Sequence, residues 1–335
     1  MEPGLYVIVP LGIAECNLSK PISLIGSVEL MPFDATWRRH AQQFLELLEN
    51  PSVTHIAKTK AEKLEQTKYC LLRRFSDFGG WKPMEETIYD DIYGDAEDDS
   101  RGRVWENRPL RKEWTWSLGL LAIAGRVHFA CSHTWLGFKF PPSQEAPSCR
   151  SSMYARWIGR VRQAESPETA GPEFWAKVDN MADNLRPVPE SSPLGIAVDM
   201  FSRAVAAADW RSEMLWLWIT LEALFGRVDG ELSHQLSERA AAFIQPAGDS
   251  RLTIYRTLKR AYGYRSKLVH GSLPGPTKEW TKDLSASVAS VEQVCRDALQ
   301  RVLLDEQMTN RFAQKSDLKP YFEELVLAPD LTAPS

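Results

Sequence analysis

Cysteine is scarce in this chain, and so is any surplus of charge. The 335 residues include five cysteines: Cys16, Cys70, Cys131, Cys149 and Cys295. They are scattered and form no C-x-x-C pair, which excludes a disulfide scaffold and fits free thiols in a reducing cytosol. Forty basic residues face 44 acidic ones, for a net charge of −4. No global positive field draws in nucleic acid, so such a partner needs a local patch. Long apolar runs are missing too. The most apolar zone, Trp114 to Phe138, is split by Arg126. Neither half reaches the ~20 residues that a membrane helix requires. The opening Met-Glu-Pro-Gly lacks the positive start of a secretory signal. A soluble, cytoplasmic chain with no membrane partner is expected.

Common reaction motifs are absent as well. There is no G-x-x-x-x-G-K-[ST], no G-x-G-x-x-G after a strand, no H-E-x-x-H and no G-x-S-x-G. Phosphate-loop hydrolases, dinucleotide enzymes, zinc proteases and elbow-type hydrolases lose their sequence support.

What is present divides into two halves. Residues 1–185 read as a mixed α/β domain. Gly4 to Ala14, Ile22 to Met31, Tyr69 to Phe75 and Arg126 to Phe140 carry strand-like stretches. Ala35 to Glu49 spaces Trp37, Phe44, Leu45 and Leu48 helically, and Pro51 follows as a stop. The acidic stretch from Tyr89 to Asp99 reads as a solvated loop, since it lacks the spacing of a calcium loop. Residues 186–193, RPVPESSP, read as a Pro-rich linker. Residues 194–330 read as an all-α bundle. Its helices are expected at Leu194 to Asp209, Arg211 to Phe225, Glu231 to Gln245, Asp249 to His270, Lys278 to Asp305 and Leu318 to Leu327. Asp209 and Asp249 are the expected N-caps, with Gly226 and Gly271 as stops. The class is therefore α+β overall, with a mixed α/β domain followed by an all-α helical bundle.

Two clusters bear on chemistry. His128, Cys131 and His133 lie close together, but they match no fixed zinc spacing. A polar-lined strand is the simpler account, and no metal or other cofactor is expected. The second cluster is in the helical half. The run Met214 to Gly226, MLWLWITLEALFG, has one ionisable residue, Glu222. A helix apolar all round is buried, and a buried carboxylate needs a cation beside it. The candidate cation is Arg265. It interrupts the helical stripe Tyr255, Leu258, Tyr262, Arg265 and Val269, whose other members are expected in the core. A bidentate Arg265–Glu222 pair is expected. His270 follows five residues after Arg265. Five positions on a helix diverge by about 140°, so for the two to converge the helix must end or unwind at His270, as Gly271 permits. From Ser250 to Lys278 the chain also has basic residues at Arg251, Arg256, Lys259, Arg260, Arg265, Lys267 and Lys278, with no acidic one. Such a patch suits a polyanion, and Tyr262 and Tyr264 offer rings for stacking.

The stretch Leu194 to Asp305 resembles the HEPN superfamily, in its Apea-like branch. The matching segments are LEALF (Leu221 to Phe225), ELSHQLSERAA (Glu231 to Ala241) and LKRAYGYRSKLVHG (Leu258 to Gly271). The resemblance covers about a third of the chain and does not reach residues 1–185. It implies an up-and-down helical bundle that forms a homodimer, with an R-x4-H motif in the cleft between protomers. Many members are metal-independent endoribonucleases in toxin or anti-phage roles. Carried over by position, the catalytic residues are Arg265 and His270, with Glu222 as the acidic partner. Ser266 is the polar residue after the arginine. Lys259, Arg260, Tyr262, Ser266 and Lys267 are the RNA-contacting candidates. RNA is the implied partner, and restraint would come from the N-terminal half or from a regulatory protein such as an antitoxin. The alternative is a non-catalytic HEPN module that binds nucleic acid, a nucleotide or a protein.

Overall fold

In the computed structural model the chain divides into two compact units, one of residues 1–117 and 126–179, the other of residues 118–125 and 180–335. The structure describes residues 4–13, 18, 20–26, 28–32, 35, 39, 69–75, 109–126, 129–131, 135–140, 148–152, 170–207, 209–226, 232–245, 248–272, 278–314 and 318–327.

The first unit is built on one antiparallel sheet. Its strands are β1 (Gly4–Ile13), β2 (Ile22–Ser23), β3 (Val28–Pro32), β4 (Tyr69–Phe75), β5 (Phe129–Cys131), β6 (Trp135–Phe140) and β7 (Ser148–Ser152). The order is β2-β3-β4-β1-β6-β7, and β5 also pairs with β1. β1 and β4 are central, with Val9 opposite Leu71. β3 alternates as a half-buried strand should, with Val28 and Leu30 buried and Glu29 exposed. On β4, Tyr69 to Leu72 are all buried, as befits an inner strand. Strands form in all the stretches expected from sequence at 4–14, 22–31, 69–75 and 126–140, the second as β2 and β3 and the last as β5 and β6. The helix expected over 35–49, the acidic stretch 89–99, and His128 and His133 lie outside the described residues, apart from Ala35 and Arg39. Among the described residues no group of three His, Cys, Asp or Glu side chains is placed to hold a metal ion.

The second unit is helical. α1 (Pro109–Ala124) enters it from Leu118 onward, and α2 (Pro172–Leu185) from Asn180. The helices that follow are α3 (Pro193–Val205), α4 (Trp210–Phe225), α5 (Leu232–Ile244), α6 (Asp249–Val269), α7 (Lys278–Leu303), α8 (Glu306–Ala313) and α9 (Leu318–Leu327). Within this unit α4 packs on α3, α5, α6 and α7, and α6 packs on α5 and α7. The class is α+β. None of the described helices is long and apolar enough to cross a membrane.

Several ends form as the side chains dictate. Asp209 caps α4 by accepting from Arg211 N at 2.9 Å and Ser212 N at 3.1 Å. Asp305 ends no helix but caps α8, accepting from Gln307 N and Met308 N. Asp249 is the first residue of α6 rather than its cap. Gly248 takes the cap position, and Asp249 places its charge at the positive end of the helix dipole. The segment 186–193 expected to link two domains lies inside the second unit. Val188 is buried there, and Ser192 caps α3 ahead of Pro193. The last carbonyls of α1 are also met: Arg296 Nε donates to Ala122 O at 2.8 Å, and Gln300 donates to Ile123 O.

An aromatic cluster anchors the bundle. Phe243 of α5 lies 5.6 Å from Phe225 and 5.4 Å from Phe312, ring centre to ring centre. Arg301 caps its face at 4.8 Å. All three phenylalanines are fully buried. Phe243→Ala is expected to cost about 3–5 kcal/mol, because four neighbouring elements cannot all relax into the space. A urea titration followed by far-UV circular dichroism reads this as an earlier helical transition.

Candidate functional site

The site is built on α4 and α6. α4 presents Met214, Leu217, Trp218, Leu221, Leu224 and Phe225 to the core. It is not buried all round, as its composition suggested. Leu215, Trp216, Ile219, Glu222 and Ala223 form a half-exposed stripe. Glu222 is on that stripe, with 28% of its side chain exposed.

The cation demanded by Glu222 is Arg265. Nη2 of Arg265 donates to Oε1 of Glu222 at 3.2 Å, joining residues 43 positions apart. The contact uses one oxygen and one nitrogen, so it is not the expected bidentate fork. Tyr262 explains the approach. Its ring lies 5.8 Å from the Arg265 guanidinium carbon on one side. On the other it meets Trp218 edge-on at 5.4 Å. The guanidinium is thus held between a carboxylate and a π-face. Two donors in this layer, Arg265 Nε and Trp218 Nε1, are buried and have no hydrogen-bond partner among the described residues. Trp218 is a site residue that motif reasoning missed. The available signal was its place one helical turn before Glu222, on a neighbouring stripe.

Burial and charge oppose each other at Glu222. Desolvation raises its pKa above the ordinary 4.5, and Arg265 pulls it back only in part. The pair is therefore a weakly stabilising cross-link rather than a deeply buried one.

The end of α6 follows its sequence closely. His270 is the C-cap and Gly271 has φ +65°. Gly271 N donates to Leu268 O at 3.3 Å and Ser272 N to Lys267 O at 2.9 Å, the paired bonds of a Schellman motif. His270 N donates to Ser266 O at 3.0 Å, so the backbone stays near helical up to the cap. The unwinding needed to swing His270 toward Arg265 does not occur before Gly271. The two residues leave the helix about 140° apart. Among the described residues, no hydrogen bond, ion pair or ring contact joins them or engages the His270 imidazole, which is exposed.

The other candidates separate into engaged and free groups. Lys259 is engaged, its Nζ donating to Ser233 Oγ on α5 at 3.1 Å. Tyr262 is engaged with Trp218 and Arg265. Ser266 is half-buried, as is Tyr264, which has a partner of its own. Arg260 and Lys267 are exposed. The stripe expected in the core is buried only at Leu258. Tyr255 is half-buried against His234, and Val269 is 53% exposed. The basic character of α6 explains this, since only Leu258 and Ala261 of its 21 residues are buried. Comparison with known protein families, curated proteins and solved structures finds no match to the chain.

Two outcomes follow for Glu222. Glu222→Ala is expected to cost about 1–2 kcal/mol in a urea titration, well under the ~3–5 of a fully buried pair, because water reaches both partners. Glu222→Gln tests the sign of the titration. A carboxyl whose folded pKa is raised contributes most when protonated, and the contribution fades as pH climbs through that pKa. Wild type is expected to lose ground to Glu222→Gln from pH 4 to pH 7. An unchanged difference in urea midpoint would show that burial does not dominate.

Proposed function

We propose that the chain is a metal-independent endoribonuclease of HEPN type, acting as a homodimer in the cytoplasm in a toxin or anti-phage role. The observation that carries the proposal is the ion pair between Glu222 of α4 and Arg265 of α6, the helix that ends in the exposed, unengaged imidazole of His270. These are the three positions that the HEPN resemblance marks.

The chemistry needs no cofactor. The ribose 2′-oxygen attacks the adjacent phosphorus, the bond to the 5′-oxygen breaks, and a 2′,3′-cyclic phosphate is left. One proton leaves the 2′-hydroxyl and one reaches the departing 5′-oxygen. An imidazole, which can take up or give a proton, serves either transfer. A fixed guanidinium stabilises charge on the phosphate, and Glu222 holds that guanidinium in place. With Arg265 and His270 about 140° apart on one helix, a second copy would complete the site, with the arginine of one protomer and the imidazole of the other on one phosphate. The first unit, residues 1–117 and 126–179, would act as sensor or restraint.

The same separation favours a second reading, a non-catalytic module that binds nucleic acid or a partner protein. One experiment divides the two. Purified wild type is incubated with a structured RNA in excess chelator, beside His270→Ala and Arg265→Ala. The ribonuclease reading expects cleavage by wild type, a loss of ~10²–10⁴-fold in His270→Ala, and a comparable loss in Arg265→Ala. Equal cleavage by His270→Ala, or none by wild type, leaves the module reading.

A further inference from the structure

α6 has an outward row that none of the contacts above uses. Arg256, Arg260, Gly263, Lys267 and His270 recur at intervals of four, three, four and three, and all five are exposed. On a regular helix these positions fall within an arc of roughly 80° and span about 21 Å. Arg256, Arg260 and Lys267 make no hydrogen bond, ion pair or ring contact among the described residues. The other described arginines of this unit have partners. Arg203 and Arg296 pair with carboxylates one turn away, Arg239 and Arg301 donate to carbonyls of Phe225 and Phe243, and Arg211 and Arg311 sit over aromatic rings. Arg186 and Arg265 also pair with carboxylates, and Arg251 has a partner of its own. No acidic residue lies between Ser250 and Lys278 to neutralise the row.

The middle of the row holds a glycine that the fold does not need. Gly263 is inside a helix, where glycine is unfavourable relative to alanine. A Cβ placed there would meet nothing within 4 Å. Packing therefore gives no reason for its absence. A bare helix backbone between cations gives a ligand room to approach closely.

We infer that the row Arg256–Arg260–Gly263–Lys267 is a track for the phosphodiester backbone of single-stranded RNA, which it delivers to His270. The inference rests on the ribonuclease reading for the identity of the polyanion. It replaces Lys259 and Tyr262, which are engaged elsewhere, with Arg256 and Gly263 as contact points. A linear row of cations suits a linear chain of charges. A membrane surface would call for apolar side chains along the row, and the exposed ones of α6, Leu252 and Val269, stand instead near its two ends.

The test uses the full chain carrying His270→Ala, so that RNA is bound and not cut. The probe is a fluorescein-labelled 12-nucleotide oligouridylate, followed by anisotropy over a range of salt. Each neutralised phosphate of a single strand adds about −0.7 to the slope of log K against log salt. Adding Arg256→Gln, Arg260→Gln and Lys267→Gln together is expected to flatten that slope by about 2, while Lys259→Gln leaves it as it was. Gly263→Ala is expected to raise Tm by about 2–4 °C yet weaken binding several-fold, a combination that a purely structural glycine cannot give. An unchanged slope in the triple variant, or oligonucleotide binding by Gly263→Ala as tight as the parent's, overturns the track. Retention on phosphatidylserine vesicles with no binding of the oligonucleotide overturns it too, in favour of a membrane surface. Cleavage by wild type with an unchanged slope refutes the track and leaves the nuclease reading. A flattened slope with no cleavage by wild type does the reverse.

Discussion

The Glu222–Arg265 ion pair fixes which side of α6 is turned toward α4. Glu222 is the single charge in an otherwise apolar run, and the α6 stripe that meets α4 carries a single arginine. Satisfying that carboxylate brings Arg265 inward, and the period of the helix then turns Arg260 and Lys267 outward. Tyr262 and Trp218 pack around the guanidinium and keep its place. Residues that serve stability and residues free for a ligand thus come from one helix of 21 residues.

The burial of the pair matters for its use. A guanidinium sealed in the core would be structural only. Arg265 keeps 25% of its side chain exposed, and Glu222 keeps 28%. The charge is fixed by a neighbour yet within reach of solvent, which is the condition for preorganised stabilisation of a phosphate. At the helix end, Gly271 closes the backbone bonds through its left-handed conformation, and the His270 imidazole stays uncommitted.

Much of this was legible in the sequence, because it depends on local rules. The strands at 4–14, 69–75 and 126–140 followed from apolar, β-branched runs, and the helix ends at Asp209, Gly226 and Gly271 followed from capping chemistry. The Glu222–Arg265 pair was legible because a lone charge in an apolar helix demands a partner. Other features depend on tertiary context. RPVPESSP reads as a linker by composition, yet it lies within the helical unit, where Ser192 caps α3 and Pro193 begins it. The outward position of Val269 could not be read from spacing, since Val269 is the last residue of α6 and is 53% exposed. α1 was missed as a helix because its apolar C-terminal half shows little periodicity, as happens where a helix is buried on all sides.

The most direct measurement of the central claim is the chemistry of the cut ends. Wild-type protein and RNA are combined in excess chelator, and the fragments are analysed by mass spectrometry. Attack by the neighbouring 2′-hydroxyl predicts fragments ending in a 2′,3′-cyclic phosphate, each matched by a 5′-hydroxyl. Fragments with 3′-hydroxyl and 5′-phosphate ends, or RNA left whole, would contradict the account.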